Sequence, residues 1–245
     1  MPLPFDDKVF WVTGASGALG RATALLLAER GATVVASGRS VAETDFGDAP
    51  RIDRLPVDVT DDASVRAGFA ALLERHGRID GLVASTNVGA FADFLELTDD
   101  DWLRVIQAKL LGSVRPVRAA LPTLIDQAKG AIVLISGRGG IDPPPQHFPG
   151  ASVNAALDLL AQSLGRRYGP DGVRVNAVAP GPIQSPRSAR LAGATEERKR
   201  FSRTATPGPG LPADVAEAVA FLLSDAAKFV NGSRLYVDGG GQPYA

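Results

Sequence analysis

The chain has 245 residues, 45% of them hydrophobic and 22% charged, with a formal net charge of −1 and no cysteine. This length fits one large α/β domain or two small ones, and the hydrophobic content is sufficient for a sizeable core. The near-neutral charge argues against nucleic acid or a membrane surface as the main partner, and the absence of cysteine excludes disulfides and thiolate metal sites.

Residues 1–7 lack the basic and apolar regions of a signal peptide. No apolar run reaches the ~18 residues of a membrane-spanning helix. We therefore expect a soluble cytoplasmic protein that acts on a small molecule, and nothing in the sequence predicts a metal site.

Short apolar runs alternate with helical patterns at regular spacing along the chain. Strands are predicted at residues 8–13, 33–37, 52–57, 80–85, 131–136, 173–178 and 234–237. Helices are predicted at 18–30, 61–76 with Thr60 as N-cap, 98–125 with Thr98 as N-cap, 151–168 and 212–225. Residues 40–50 have little helical character and are predicted to form a shortened connection. Strands that are apolar on both faces and joined by helices indicate a parallel sheet with helices on both faces.

A turn rich in small residues follows the first predicted strand and opens the first helix; it reads Gly14-Ala-Ser16-Gly17-Ala-Leu19-Gly20. A strand, a glycine-rich turn and a helix start can hold a dinucleotide pyrophosphate. Glycines let the backbone approach the phosphates, and the first N–H groups of the helix face the anion. The spacing Gly-x-x-Gly-x-x-Gly also fits an ordinary tight turn. We predict a dinucleotide site, with the ordinary turn as the alternative.

Four segments together resemble the short-chain dehydrogenase/reductase family over essentially the whole chain. They are residues 13–20, where Ala18 replaces a family glycine, then Asp58-Val59, then 174–181 with Ile183 and Ser185, and finally 231–240. The resemblance implies an oxidoreductase that uses a nicotinamide dinucleotide. It implies a single domain over residues 1–245. The fold that it implies is α/β, with one Rossmann-type doubly wound parallel sheet of about seven strands.

The resemblance also assigns residues and an assembly. The cofactor-binding residues that it implies are Gly14, Ser16, Gly17, Leu19, Gly20, Asp58, Val59, Pro180, Gly181, Ile183 and Ser185. It implies a homotetramer or homodimer built on the helices predicted at 98–125 and 151–168, with the C-terminal strand as a second contact. Ala151, Ala155 and Ala161 on the second helix are expected to permit close approach of a partner helix.

The end of the second predicted strand bears on the choice of cofactor. An acid there bonds the ribose 2′-hydroxyl of NAD, whereas an arginine suits the 2′-phosphate of NADP. The sequence reads Ala36-Ser-Gly-Arg39-Ser40, with an arginine and no acid. A guanidinium presents a planar, charge-assisted fork to phosphate oxygens. We predict NADP(H) over NAD(H), with a solvated surface arginine as the alternative. Residues 84–87 differ from the Asn-Asn-Ala-Gly that the family has after the fourth strand.

The family works with a catalytic Asn, Ser, Tyr and Lys, and every member of this set is changed here. The segment that begins at Gly150 aligns with Tyr-x-x-x-Lys-Ala-x-Leu, so Gly150 stands at the tyrosine position and Asn154 at the lysine position. The serine position falls on Gly137, next to Ser136, and the asparagine position falls on Lys109. Glycine has no proton to transfer, so ordinary ketone reduction at the family's usual rates is not expected.

Lys109 and Asn154 form a reciprocal exchange, because each stands where the family has the other residue type. In the family the two positions flank one water. Since the chain has only five lysines, we hypothesise that the Lys109 ammonium reaches Asn154 or the nicotinamide ribose. It would then carry the proton itself, relayed by Ser136 or His147. The alternative is that Lys109 extends to solvent and the site is inactive.

Other residues are weaker candidates. Histidine is the side chain that ordinarily changes charge near neutral pH, so His147, three residues before Gly150 in a proline-rich loop, is a candidate acid or base, or else a loop histidine in solvent. Arg138 is a candidate for holding a carboxylate or phosphate, with a surface arginine as the alternative. Ser152 can bond a substrate oxygen or cap a helix. Tyr244 can reach a neighbouring subunit or belong to a frayed end.

Three functions fit these residues. The favoured one is an atypical NADP(H)-dependent oxidoreductase with a rearranged acid–base site. The others are a non-catalytic NADP(H)-binding sensor or structural partner, and a non-redox enzyme that reuses the pocket. The fold does not decide between them, because function depends on the site.

Overall fold

The computed structural model describes residues 4–185 and 204–241. Seven parallel strands form one sheet in the order β3-β2-β1-β4-β5-β6-β7. The strands are β1 (Val9–Thr13), β2 (Thr33–Gly38), β3 (Ile52–Pro56), β4 (Gly81–Ala84), β5 (Gly130–Ile135), β6 (Val173–Pro180) and β7 (Arg234–Val237). The predicted doubly wound α/β fold is confirmed, and the strands lie where the apolar runs place them.

Six α-helices of the described residues connect the strands. They are α1 (Ala18–Glu29), α2 (Asp62–His76), α3 (Asp99–Val105), α4 (Gly112–Asp126), α5 (Phe148–Tyr168) and α6 (Pro212–Leu223). Helices α1 and α6 cover one face of the sheet, and α2, α4 and α5 cover the other. Each face of the sheet has its own apolar core. No helix appears between β2 and β3, as the weak helical pattern of residues 40–50 predicts.

The long helix predicted from residue 98 to 125 is not continuous. Thr98 caps α3 as predicted, and a capping box joins it to Asp101. Between α3 and α4, however, the chain forms a π-helical segment, Ile106–Leu111. Such wide turns occur frequently at functional sites because they turn a side chain away from the regular helical repeat. The residue affected here is Lys109, which lies inside the segment.

Two other helix starts differ from the prediction. Asp61 rather than Thr60 caps α2, because its carboxylate accepts the Ala63 N–H at 2.9 Å. Helix α5 begins at Phe148, three residues earlier than predicted. Pro149 lies in its first turn, where proline is favoured because it has no N–H group that would need a hydrogen-bond acceptor. This earlier start places Gly150 within the first turn of α5 and leaves His147 immediately before it.

The alanines of α5 were expected to meet a partner helix, and for two of them that expectation is wrong. Ala161 is fully buried and Ala151 is 8% exposed, so both face the core of their own chain. Ala155 is exposed, on the same side as Leu159. The helical repeat decides this, because residues three and four apart share a face.

The order of the strands reverses between β1 and β4. In open α/β sheets of this kind, ligands bind at the carboxyl ends of the strands next to such a switch point. Those ends carry the glycine-rich turn after β1, the segment after β4 and the turns after β5 and β6.

Candidate active site

The glycine-rich turn after β1 is closely packed. Gly14 has a φ of +70°, and a Cβ there would lie 2.5 Å from the Ser85 carbonyl oxygen, so only glycine fits. A Cβ on Gly20 would overlap the Gly14 carbonyl. Because glycine has no side chain, α1 can pack directly on the turn. Helix α1 starts after Gly17 without a side-chain cap, so the N–H groups of its first turn are available to an anion.

The ends of β2 and β3 form the next wall of the site. Arg39 is exposed directly after Gly38, the last residue of β2. Two hydrogen bonds from Thr60, one from its backbone N–H at 2.9 Å and one from its hydroxyl at 2.7 Å, lower the pKa of Asp58. Partial burial opposes this shift, and the positive charges of Arg39 and Arg115 lower the pKa further. Asp58 is therefore an ionised acceptor beside the Arg39 guanidinium.

A single cleft connects this wall to the carboxyl ends of β4, β5 and β6. Of the residues predicted for the site, those that line it are Gly14, Ser16, Gly17, Leu19, Arg39, Asp58, Val59, Lys109, Ser136, Arg138, His147, Asn154, Pro180, Gly181, Ile183 and Ser185. Gly20 does not line the cleft, because its place is under the turn, against Gly14. Ser152 is exposed outside the cleft, and Tyr244 lies outside the described residues.

Thr86, in the segment after β4 that departs from the family's motif in sequence, also lines the cleft, although no motif predicts it as a site residue. Its hydroxyl oxygen is buried and has no hydrogen-bond partner in the part of the chain that is described. A buried hydroxyl without a partner costs free energy that a bound ligand can recover. Together with the close backbone approach at Gly14, this orphaned hydroxyl fits a nicotinamide dinucleotide lying along the cleft.

Lys109 points into the cleft wall and not along its helix. Its side chain is buried, with 4% of the residue exposed. The ammonium donates to Asn154 Oδ1 in a short hydrogen bond and to the Ser136 carbonyl oxygen at 2.9 Å. The contact that the reciprocal exchange predicts is therefore present, and the alternative of a lysine extended to solvent is wrong. These two acceptors stabilise the ammonium, because a buried cation is costly unless hydrogen-bond acceptors surround it.

Ser136 contributes its carbonyl group to this cluster. Its hydroxyl donates to the Val178 carbonyl oxygen of β6 at 3.2 Å, so the hydroxyl is directed at the sheet. At the neighbouring Gly137, a Cβ would lie 2.8 Å from Asn154 Nδ2 and 3.2 Å from Asn154 Cγ. The Asn154 amide thus fills the space that a serine side chain at position 137 would need.

The His147 imidazole lies directly beside the Gly150 backbone. A Cβ built on Gly150 would overlap the ring, so any larger residue at this position would displace it. The ring is only partly exposed and stacks on Phe91, with centroids 4.5 Å apart and planes within 6°. His147 therefore occupies the space that a side chain at position 150 would need, and it lines the cleft.

Phe91 was not identified from the sequence as a site residue. It lies in the loop after β4, far from His147 along the chain, and nothing local marks it as a partner. Arg138 was identified, and it lines the cleft as a buried residue with 7% exposure. It is not the surface arginine of the alternative interpretation.

Comparison with known proteins agrees with this geometry. A family model described as enoyl-(acyl carrier protein) reductase matches residues 14–242. The chain is 31% identical over 241 residues to the 3-oxoacyl-(acyl-carrier-protein) reductase FabG of Thermotoga maritima, covering 96% of this chain and 98% of that protein. The chain belongs to the short-chain dehydrogenase/reductase family.

Other members of the family are similar over the same extent. The cis-4-hydroxycyclohexanecarboxylate dehydrogenase of Sinomonas cyclohexanicum is 37% identical over 242 residues, which is 96% of this chain and 97% of that protein. The crystal structure of gox2181 superposes with a TM-score of 0.90 at 29% identity, covering 97% of this chain and 96% of the other. This short-chain dehydrogenase/reductase is thus an oxidoreductase of a family that uses a nicotinamide cofactor on small-molecule substrates.

None of the helices in ranges 4–185 and 204–241 is both long and apolar enough to cross a bilayer. The same ranges contain no group of three or more histidine, aspartate or glutamate side chains placed to hold a metal ion.

Proposed function

We propose that this protein is an NADP(H)-dependent oxidoreductase in which a rearranged set of residues replaces the family's catalytic set. The observation that carries the proposal is the pairing of Lys109 with Asn154 inside the cleft, next to His147. The exchange restores a buried cation on the wall opposite to the one from which the family's lysine projects. A site that has only lost its function has no reason to keep a buried charge, because such a charge is costly.

The cofactor half of the proposal rests on the turn after β1 and on Arg39. The helix α1 N-terminus and the Gly14 backbone support the pyrophosphate, and the Thr86 hydroxyl offers a further hydrogen bond. The Arg39 guanidinium supports a 2′-phosphate, and residues 36–40 at the end of β2 contain no acid that would favour a ribose hydroxyl. When bound, the dinucleotide supplies or accepts the hydride.

His147 takes the role of proton carrier in this proposal. Its ring lies where a side chain at position 150 would begin, which is the position that the resemblance aligns with the family's tyrosine, and imidazole transfers protons near neutral pH. In carbonyl reduction the imidazolium donates its proton to the substrate oxygen, and in alcohol oxidation neutral imidazole accepts it. Stacking on Phe91 holds the ring in one orientation. Ser136 is not used as a relay, since its hydroxyl donates to the sheet.

Lys109 is proposed as the positive charge of the site. Its ammonium is held by Asn154 and the Ser136 carbonyl, and it can bond the nicotinamide ribose from that position. The charge stabilises negative charge developing on the substrate oxygen, which is the usual use of a preorganised cation. We also propose that the protein works in the cytoplasm as a homodimer or homotetramer.

The test follows a deuterium label from NADPH into product. The purified protein is incubated with NADPH deuterated at C4 and with carbonyl compounds that match the names of its relatives. These compounds are 4-oxocyclohexanecarboxylate for the Sinomonas dehydrogenase and acetoin for the meso-2,3-butanediol dehydrogenase of Serratia marcescens, which is 34% identical. We expect labelled alcohol, at rates well below the usual ~1–10³ s⁻¹ for simple ketones such as acetoin.

Matched variants separate the alternatives. His147→Gln should bind NADPH as the wild type does and lose most of the label transfer, whereas His76→Gln, at the end of α2, should change neither. NADPH binding with no label transfer to any carbonyl compound would favour the non-catalytic binding protein. Absence of NADPH binding would contradict the proposal as a whole.

A further inference from the structure

Two side chains of α4 bond oxygen atoms of the π-helical segment that precedes it. The Arg115 guanidinium donates to the Gln107 carbonyl oxygen at 3.4 Å and to the Gln107 side-chain oxygen at 2.8 Å. The Ser113 hydroxyl donates to the Lys109 carbonyl oxygen at 2.8 Å. Side-chain donors that bond carbonyl groups of a preceding turn bend a helix locally. Arg115 and Ser113 therefore help to hold the wide turn in which Lys109 lies.

The same guanidinium also reaches the wall of the cleft that follows β3. It donates to the Val59 carbonyl oxygen at 3.0 Å. Val59, Gln107 and Arg115 all line the cleft. A guanidinium can bond acceptors on two sides at once because its donors lie in one rigid plane. A single side chain thus joins two parts of the cleft, the wall at Val59 and the π-helical segment.

Helix α4 begins in close contact with this wall. A Cβ on Gly112, its first residue, would lie 2.9 Å from Val59 Cγ2 and 3.1 Å from Thr86 Oγ1. This packing prevents the start of α4 from moving toward the wall, because closely packed groups have no space to approach further. The hydrogen bonds of Arg115 oppose movement in the other direction. The end of the π-helical segment is therefore held from both sides.

The direction of the Lys109 side chain depends on the geometry of this segment. Successive residues of a regular helix are rotated by ~100° about its axis, so a change in the width of a turn changes where its side chains point. Within the segment, the Lys109 ammonium donates to Asn154 Oδ1 and to the Ser136 carbonyl oxygen. Relaxation of residues 106–111 to a regular α-helix would change the direction of Lys109 relative to Asn154 on α5.

We propose that Arg115 is a positioning residue, which fixes the π-helical segment to the wall at Val59 and so directs the Lys109 ammonium to Asn154. This inference rests on the proposed function, in which that ammonium bonds the nicotinamide ribose. The Arg115 and Arg39 charges both act on Asp58, so Arg115 lies at the end of the cleft proposed for the 2′-phosphate. A purely local role would affect the adenosine half of the cofactor, whereas a positioning role also affects the nicotinamide half.

The experiment compares NADPH with adenosine 2′,5′-bisphosphate, which contains the adenosine half of NADPH and lacks the nicotinamide half. Isothermal titration calorimetry gives both affinities. Arg115→Lys keeps the positive charge near Asp58 and removes the planar fork. We expect this variant to bind NADPH about fivefold more weakly, the effect of one lost hydrogen bond. Its affinity for the bisphosphate should be nearly unchanged.

A second background tests whether the effect passes through Lys109. In Lys109→Met, the further change Arg115→Lys should no longer weaken NADPH binding more than bisphosphate binding, because the ammonium that Arg115 directs is absent. Gln107→Met removes the side-chain acceptor of Arg115 and should give the same selective loss in smaller size. This variant keeps the test valid if a change at Arg115 prevents folding.

Arg118→Met is the matched control. Arg118 lies on the same helix and bonds Asp62 of α2 at 2.6 Å, away from the cleft lining. Its loss should change neither affinity. Equal weakening of both ligands by Arg115→Lys, or a selective loss that persists in Lys109→Met, would overturn the inference. A wild type that binds neither ligand would instead refute the proposed function, so the two failures are distinct.

Discussion

The His147 imidazole fills the space beside Gly150 in the first turn of α5, and the two residues constrain each other. Glycine at position 150 leaves room for the ring, and the ring stacks on Phe91. The absence of a side chain at position 150 and the position of the His147 ring therefore depend on each other.

This relationship predicts opposite effects of one substitution in two backgrounds. Gly150→Ala in the wild type should be destabilising and should reduce turnover, because the new methyl group displaces the imidazole. In a His147→Ala background the same change should stabilise the protein by about 0.5–1 kcal/mol, the ordinary gain for glycine to alanine in a helix. Urea unfolding of the four proteins forms a double-mutant cycle. Equal effects in both backgrounds would show that the ring does not occupy this space.

Lys109→Met should weaken NADP(H) binding and abolish turnover. Methionine has a similar length, but Asn154 Oδ1 and the Ser136 carbonyl would lose their donor. The double exchange Lys109→Asn with Asn154→Lys is the matched control, since it restores the family's arrangement and should retain nucleotide affinity. Fluorescence titration with NADPH measures both. An unchanged affinity in Lys109→Met would leave the non-catalytic binding protein as the better interpretation.

Arg39→Ala should weaken NADPH binding by ~1.5–3 kcal/mol, the range for a hydrogen bond to a charged group, with little effect on NADH. The guanidinium lies at the end of β2, where it can reach a 2′-phosphate. Arg54→Ala is the control, because Arg54 is an exposed arginine on β3 that does not line the cleft. Titration of the intrinsic fluorescence gives the affinities. A wild type that binds NADPH and NADH equally would refute the NADP(H) preference.

Asp58 should make stability depend on pH in the acid range. Its pKa is lowered in the folded state by the Thr60 hydrogen bonds, so folding favours its ionised form. This contribution is fully present above the unfolded pKa of about 4 and is lost as the pH falls through the lower folded value. The unfolding free energy of the wild type should therefore fall more steeply below about pH 4 than that of Asp58→Asn.

Thr60→Val supplies the control for this pH dependence. It removes the hydroxyl that donates to Asp58 at 2.7 Å and retains the backbone donor. Its pH dependence should lie between those of the wild type and Asp58→Asn in denaturant titrations. Three identical pH profiles would mean that Asp58 gains nothing from its hydrogen bonds on folding.

Leu159→Arg should reduce the oligomer to a smaller species. Leu159 is 64% exposed on α5, on the same side as the exposed Ala155. An exposed leucine makes few contacts in its own chain, so the fold should survive the change. Light scattering at micromolar concentration gives the mass. Glu29→Arg on α1, across the sheet, should leave the mass unchanged, and a monomeric wild type would contradict the assembly.

The alternation of strands and helices was predictable from the sequence because burial follows a local pattern. A strand buried on both faces is apolar throughout, and an amphipathic helix repeats every three to four residues. The contact between Lys109 and Asn154 was also predictable, because the resemblance to the family's motifs places the two positions on either side of one point in the site. Their contact spans 45 residues of chain, yet the fold that joins them follows from local patterns and motifs.

Other features were decided by packing between distant segments. The π-helical turn at Lys109, the stack of His147 on Phe91 and the burial of Arg138 each depend on which elements meet. The residues on either side along the chain do not indicate that Arg138 is buried or that the Ser136 hydroxyl faces β6. A side chain's direction and solvent exposure are set by neighbours that only the folded chain brings together, and those two properties determine the chemistry of this cleft.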